Sequence, residues 1–149
     1  MRQYRDRSGV HLSIEQSVSQ DLGLFARIGA ASGNVEAYEF TDVDRAIAIG
    51  ASLQGTQWGR GTDAVALAVL VNRASGTRQA YLDRGGLGIL VGDGRLPHPG
   101  AEQIAEGYYS LDLGEHVHLT FDVQRIFNPA FNRDRGPVSV FALRLHAAI

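Results

Sequence analysis

The sequence predicts an all-β protein whose strands form an antiparallel up-and-down transmembrane β-barrel. Segments of the chain alternate apolar and polar residues, which is the pattern of strands with one apolar and one polar face. The polar positions carry acids, bases and tyrosines, as expected for a barrel with a water-filled lumen. The connections alternate between short and long, as the turns and loops of outer-membrane barrels do. The seven predicted strands are residues 10–19, 22–30, 43–55, 64–72, 102–113, 116–124 and 140–149.

The first two predicted strands form a hairpin around a tight turn at Gln20-Asp21. In the first strand Leu12 lies on the apolar face and Glu15 on the polar face. In the second strand the even-numbered positions are apolar, whereas Phe25 and Arg27 lie on the opposite face. Glycines flank this pair, which suits strands that curve or approach each other closely.

Strands three and four carry their large apolar residues on one face and mainly small residues on the other. Ile47 and Ile49 represent the apolar face of the third strand, and Val69 and Val71 that of the fourth. The link between these strands contains Trp58. Because it is moderately short, it predicts a turn rather than a long loop.

The longest connection, residues 73–100, separates strands four and five. It predicts a helical turn at Tyr81-Leu82. The glycine-rich run 85–94 predicts a loop that folds tightly or partly enters the barrel. The run lacks the Gly-Lys-Ser/Thr ending and the following helix of a phosphate-binding loop.

Strands five to seven follow one another closely in the last third of the chain. In strand five Glu106 and Tyr108 lie on the polar face. A turn at Gly114-Glu115 leads to strand six, whose even-numbered positions are polar. The loop 128–137 precedes the last strand, in which Phe141 begins an apolar alternation.

Composition and charge narrow the class of protein. The 149 residues suffice for one ordinary domain, and the net charge of −2 does not support nucleic-acid binding. Cysteine is absent, so the chain has no disulfide framework and no thiolate chemistry.

The longest apolar run, residues 64–71, is far shorter than the roughly 18 residues of a membrane-spanning helix. Residues 1–7 lack the apolar core of a signal peptide, which an outer-membrane protein needs. Either the chain is mature or truncated, or the membrane interpretation is wrong.

A series of short stretches follows in order along the chain: Asp21 to Arg27, Trp58-Gly59-Arg60, Ala80-Tyr81-Leu82, Gly85 to Gly88, Gly92-Asp93-Gly94, Glu102 to Tyr109, Leu119 to Gln124, Asn128-Pro129 and Asn132 to Pro137. Together these stretches resemble the C-terminal part of the carbohydrate-selective porin (OprB) family. Their order and spacing, rather than any one motif, carry the resemblance, which covers most of the chain from about Tyr4. The resemblance implies a bacterial outer-membrane barrel of about 16 strands that passes small sugars by diffusion, usually as a homotrimer. Residues 1–149 would then be the C-terminal part of a porin domain, roughly its last seven strands. Family members are longer and usually end in an aromatic residue, where this chain has Ile149.

The polar faces of the strands predict a path for the sugar along the lumen. Sugar hydroxyls exchange hydrogen bonds with water for bonds to carboxylates, guanidinium groups and amides, and aromatic rings offer flat apolar surfaces. This passage involves no catalytic residue, no metal and no cofactor. The predicted lumen residues are Glu15, Arg27, Glu106, Tyr108, His118, Asp122, Gln124 and Arg144.

Three alternatives stay open from the sequence. Glu102 and Glu106 suggest a glycosidase pair, but four residues along a strand put them roughly 13 Å apart, beyond the separation in either class of glycosidase. A glycoside hydrolase on a β scaffold would need a partner acid from another strand. His116 and His118, with Asp122 as a third ligand, suggest a metal site, although a solvated strand face fits this spacing better. A soluble or peripheral β-sandwich that binds carbohydrate is the third alternative.

Aromatic residues are predicted to mark the two membrane interfaces, as they do in outer-membrane barrels. Phe127 and Phe131 suit an external girdle and Trp58 an inner one; in a sandwich these side chains would instead fill a core. The candidates are Trp58, Tyr109, Phe121, Phe127, Phe131 and Phe141.

Overall fold

The described strands form a single antiparallel sheet, in which every strand pairs with its neighbours in the sequence. The computed structural model describes residues 5–35, 42–88, 94–114 and 116–147. The predicted all-β, up-and-down arrangement of seven strands is thereby confirmed. The strands are β1 (Gly9–Ser17), β2 (Leu22–Ala31), β3 (Arg45–Gly55), β4 (Arg60–Arg73), β5 (Glu102–Asp112), β6 (Val117–Phe127) and β7 (Val138–Ala147).

The strand boundaries differ from the predicted ones mainly where turns compete with the alternation. β1 ends at Ser17 because Val18 already belongs to the turn and donates its backbone N–H to the Leu22 carbonyl at 2.8 Å. β4 begins at Arg60, four residues earlier than expected, because a register shift at Gln54/Gly55 lets Gly55 pair with Arg60 across the turn. β6 continues to Phe127, and β7 begins at Val138.

The pairing register gives the sheet one polar and one apolar face. On the polar face Arg27 lies opposite Ala48, and Tyr108 opposite Asp122; on the apolar face Ile49 lies opposite Val69. In parts of β3 to β6 the apolar positions are more exposed than the polar positions beside them, namely over residues 45–50, 67–73, 103–106 and 121–127. Leu67, at 67% exposure, is an example. This distribution is the reverse of a water-soluble sheet, in which large apolar side chains are covered.

The short and long connections lie at opposite ends of the sheet, because consecutive strands run antiparallel. Residues 18–21, 56–59, 113–114 and 116 lie at the short-turn end. The long-loop end contains the described residues 32–35, 42–44, 74–88, 94–101 and 128–137.

The long-loop end contains helix α1 (Gly76–Asp83), so the predicted helical turn at Tyr81-Leu82 is confirmed. Ser75 begins this helix, since its hydroxyl accepts the Arg78 backbone N–H at 3.1 Å. Residues 89–93 of the glycine-rich run lie outside the described residues, and with them the centre of the loop predicted there. No helix within the described ranges is long and apolar enough to cross a membrane.

Buried apolar side chains in the described part of the chain are concentrated at the long-loop end rather than between sheet layers. They are Ala74, Leu82, Leu96 and Phe131. The expectation that Phe131 belongs to an exposed girdle is therefore wrong: its side chain is only 5% exposed. The loop folds its ring inward, against the other connections.

A buried charged group, Arg78, ties α1 to the ends of β2 and β3. Its guanidinium donates to the Val35 carbonyl at 3.0 Å and lies 3.7 Å from the Asp42 carboxylate. Asp44 lies 4.0 Å from the same guanidinium and accepts hydrogen bonds from Arg7 at 2.7 Å and from the Ser75 backbone N–H at 2.9 Å. The three charged side chains Arg78, Asp42 and Asp44 are at most 2% exposed, and their mutual attraction offsets part of the cost of burying them.

The short-turn end is held together by the carboxylate of Asp63. It accepts hydrogen bonds from the Arg60 guanidinium, from the Tyr109 hydroxyl at 2.5 Å and from the Asp112 backbone N–H at 2.9 Å. The Trp58 indole donates to the same Tyr109 oxygen at 3.0 Å. This network joins the β3–β4 turn to the end of β5.

Tyr109→Phe is expected to lower the free energy of unfolding by about 2 kcal/mol, because it removes a hydrogen bond to a charged acceptor and leaves the Trp58 indole unpaired. Urea denaturation of the protein in detergent micelles, followed by tryptophan fluorescence, measures this change. Tyr108→Phe, which removes the same hydroxyl one residue earlier on the polar face, is the control. Equal losses in the two variants would show that the Asp63 network does not stabilise the turn.

Candidate functional site

All eight residues predicted to line the lumen lie on the polar face of the sheet. Direct cross-strand pairs join Tyr108 to Asp122 and Glu106 to Gln124. The eight residues therefore share one surface that runs from β1 to β7. They are Glu15, Arg27, Glu106, Tyr108, His118, Asp122, Gln124 and Arg144.

An ion pair forms the β1–β2 part of this surface. The Arg27 guanidinium donates to the Glu15 carboxylate at 2.9 Å, and its central carbon lies 5.0 Å from the centre of the Phe25 ring. The Arg27 and Glu15 side chains remain 51% and 66% exposed. The pair therefore keeps donors and acceptors available to a solute beside it.

Small residues form the middle of the polar face, on β3 and β4. Gly50 lies directly opposite Phe25, and a Cβ atom at Gly50 would overlap the Phe25 ring. The ring therefore lies across the glycine and supports Arg27. Phe25 and Gly50 were not among the predicted site residues. The signal in the sequence is a glycine in a regular strand, but only the register shows that it faces this ring.

A depression of about 530 Å³ connects the charged β1–β2 pair to β5. Ala48, Ala66 and Ala68 are among the small residues that line it. Four of the eight predicted lumen residues also line this depression: Glu15, Arg27, Glu106 and Tyr108. The other four lie beside it, on β6 and β7.

The β5–β7 part of the surface is rich in hydrogen-bonding groups. Glu106 and Asp122 lie diagonally across β5 and β6, and Arg144 lies on the same face of β7, opposite Thr120. The His118 ring lies 6.2 Å from the His146 ring and 3.9 Å from the Asp112 carboxylate. This part of the surface therefore offers both acceptors and donors.

The contacts of Glu102 tie it to the sheet rather than to a catalytic pair. Its two carboxylate oxygens accept hydrogen bonds from the Asn72 amide at 3.2 Å and from the Ala130 backbone N–H at 2.9 Å. In the described ranges, no three His, Cys, Asp or Glu side chains are grouped as metal ligands would be.

The remaining girdle candidates lie on the apolar face or at the turn that borders it. Phe121 is 50% exposed, Phe127 41% and Phe141 79%. Trp58 is 38% exposed at the short-turn end, whereas Phe127 ends β6 at the long-loop end. Their position at two membrane interfaces stays a prediction.

Comparison with known families identifies the chain. Residues 1–148 match the model of the carbohydrate-selective porin, OprB family. This is a family of transport channels rather than of enzymes. No match was found among curated proteins or among solved structures. Because the match covers nearly the whole sequence, the chain belongs to the carbohydrate-selective porin (OprB) family.

Proposed function

We propose that this chain contributes to a passive channel for small carbohydrates in the bacterial outer membrane. The observation that carries the proposal is the exposed apolar face of the sheet, together with a polar face that is less exposed over residues 45–50, 67–73, 103–106 and 121–127. An apolar face of this extent suits contact with lipid, and a polar face suits contact with a water-filled lumen. Membership of the OprB family supports carbohydrates as the solutes.

We further propose that residues 1–149 are the C-terminal part of a porin barrel domain of about 16 strands, which assembles as a homotrimer. In the described residues the outer edges of β1 and β7 are not paired with another strand. An unpaired edge in lipid leaves backbone groups without hydrogen bonds, at several kcal/mol each. Additional strands beside β1 and β7 would satisfy these groups and close the barrel.

Passage requires no covalent step. A sugar entering the lumen would exchange hydrogen bonds to water for bonds to the eight predicted lumen residues. The Arg27–Glu15 pair presents a donor next to an acceptor, which matches neighbouring hydroxyls on a sugar ring. The long-loop end would face the outside of the cell and the short-turn end the periplasm, as is usual for outer-membrane barrels.

Arg27→Gln is expected to change the permeation of neutral sugars by roughly 2- to 10-fold, the equivalent of one hydrogen bond. Liposomes containing the native polypeptide are placed in isosmotic solutions of mono-, di- and trisaccharides, and their swelling rate measures the flux. Arg84→Gln, which removes the same charge outside the strands, is the control. The proposal fails if no sugar enters the liposomes. Equal swelling rates for Arg27→Gln and the unmodified protein would mean that Arg27 does not line the path of the sugar.

A further inference from the structure

Three arginines mark the boundary of the apolar face at the long-loop end. Arg45 and Arg73 end this face on β3 and β4 and are directly opposite each other in the register. Arg125 lies on the same face of β6, opposite Ala105 and Ser139 and two residues before Phe127, which ends the strand. All three are exposed. We call these residues the arginine row.

The arginine row follows a slanted line across the sheet. Gln103 is the polar boundary residue of β5 and pairs with Val71. Since Val71 precedes Arg73 by two residues on the same face, Gln103 lies one same-face position further from the long-loop end than Arg73 does. Arg125 lies one position further inward, since it pairs with Ala105. Strands tilted by roughly 35–45° cross one bilayer depth along such a slanted line. The row is therefore placed where a single interface would cross these strands.

The positive charges of the row are not neutralised by the described part of the protein. Arg45 and Arg73 are adjacent like charges, with Cβ atoms about 5 Å apart, an arrangement that destabilises a sheet. None of the three arginines forms an ion pair with a carboxylate in the described ranges. Arg125 donates to the Ser139 hydroxyl at 2.6 Å and lies 5.8 Å from the Phe127 ring, both neutral partners. An external anion would relieve this repulsion.

We infer that the arginine row binds the phosphates of lipid headgroups in the leaflet at the long-loop end. A guanidinium group binds phosphate through two parallel hydrogen bonds, and it stays charged at any physiological pH. The apolar side chains just inward of the row, such as Ile47 and Val71, would contact the acyl chains of the same lipid. A dissolved phosphate ion gains nothing from that apolar surface, so a lipid fits the site better. The inference rests on the proposed placement of the apolar face in a membrane.

The test compares two double variants of the native polypeptide in detergent. Arg45→Gln/Arg73→Gln is expected to weaken binding of phosphatidic acid by roughly 30-fold, about fivefold for each arginine. Arg84→Gln/Arg95→Gln removes the same charge from the β4–β5 connection and is expected to bind as the unmodified protein does. Native mass spectrometry at increasing lipid concentration measures the apparent dissociation constants. Arg45→Lys/Arg73→Lys, which keeps the charge, is expected to give an intermediate loss.

The outcomes separate the lipid site from the membrane placement. Equal affinity of Arg45→Gln/Arg73→Gln and the unmodified protein would overturn the lipid site, as would competition by inorganic phosphate at the concentration where the lipid binds. Insertion of all these variants into phosphatidylcholine vesicles would uphold the membrane placement in either case. Failure of the unmodified protein to insert would overturn both.

Discussion

Arg78→Met is expected to lower the free energy of unfolding by about 3–5 kcal/mol, the usual cost of removing one partner from a buried ion pair. The substitution keeps most of the side-chain volume but leaves the Asp42 carboxylate without the guanidinium 3.7 Å away. It also removes the hydrogen bond to the Val35 carbonyl. The α1 segment would then lose its attachment to the β2–β3 loop. Urea denaturation of the protein in micelles measures the loss, and limited proteolysis locates it.

Two further variants make this prediction specific. Arg84→Met removes the same charge from the exposed C-terminal end of α1 and is expected to change stability by less than about 0.5 kcal/mol. Asp44→Asn combined with Arg78→Met should destabilise by less than the sum of the two single changes, because both residues belong to one network. Equal effects of Arg78→Met and Arg84→Met would mean that the buried charges do not hold the loops.

The two faces of the sheet could be predicted from the sequence because the alternation that creates them is local. Each strand shows its own period of two, so Glu15 and Arg27 could be assigned to the polar face before their pairing was known. The start of β4 could not be predicted in this way. It depends on the register shift at Gln54/Gly55, where the turn changes which residues are opposite each other.

Contacts between distant residues account for the remaining differences. Arg78 binds the Val35 carbonyl, 43 residues away, and no periodic pattern indicates that pairing. The support of Arg27 by Phe25 and Gly50 likewise depends on the register of β2 against β3. Phe131 was expected to be exposed because it is an aromatic residue in a loop, but the loops at this end pack on one another. These features could be recognised only from the fold, because the alternation of apolar and polar residues does not specify them.

Leu67→Arg is expected to destabilise the membrane-inserted protein by about 2–4 kcal/mol, whereas Ala66→Arg, one residue earlier, is expected to be tolerated. Leu67 lies on the apolar face near the middle of β4, where a charge would contact hydrocarbon. Ala66 lies on the polar face opposite Tyr108, where a long polar side chain can reach water. Both variants add the same side chain to the same strand, so only the face differs.

The yield of folded protein in the outer membrane, judged by its altered mobility before heating on a denaturing gel, measures insertion. Urea denaturation in lipid vesicles gives the free energy. Ala66→Arg should also slow the passage of sugars, because its side chain would narrow the path. Leu67→Arg should leave the passage of each remaining folded channel unchanged. If Ala66→Arg were the more destabilising variant, the polar face would be the one in contact with lipid, and the channel proposed above would have no lumen.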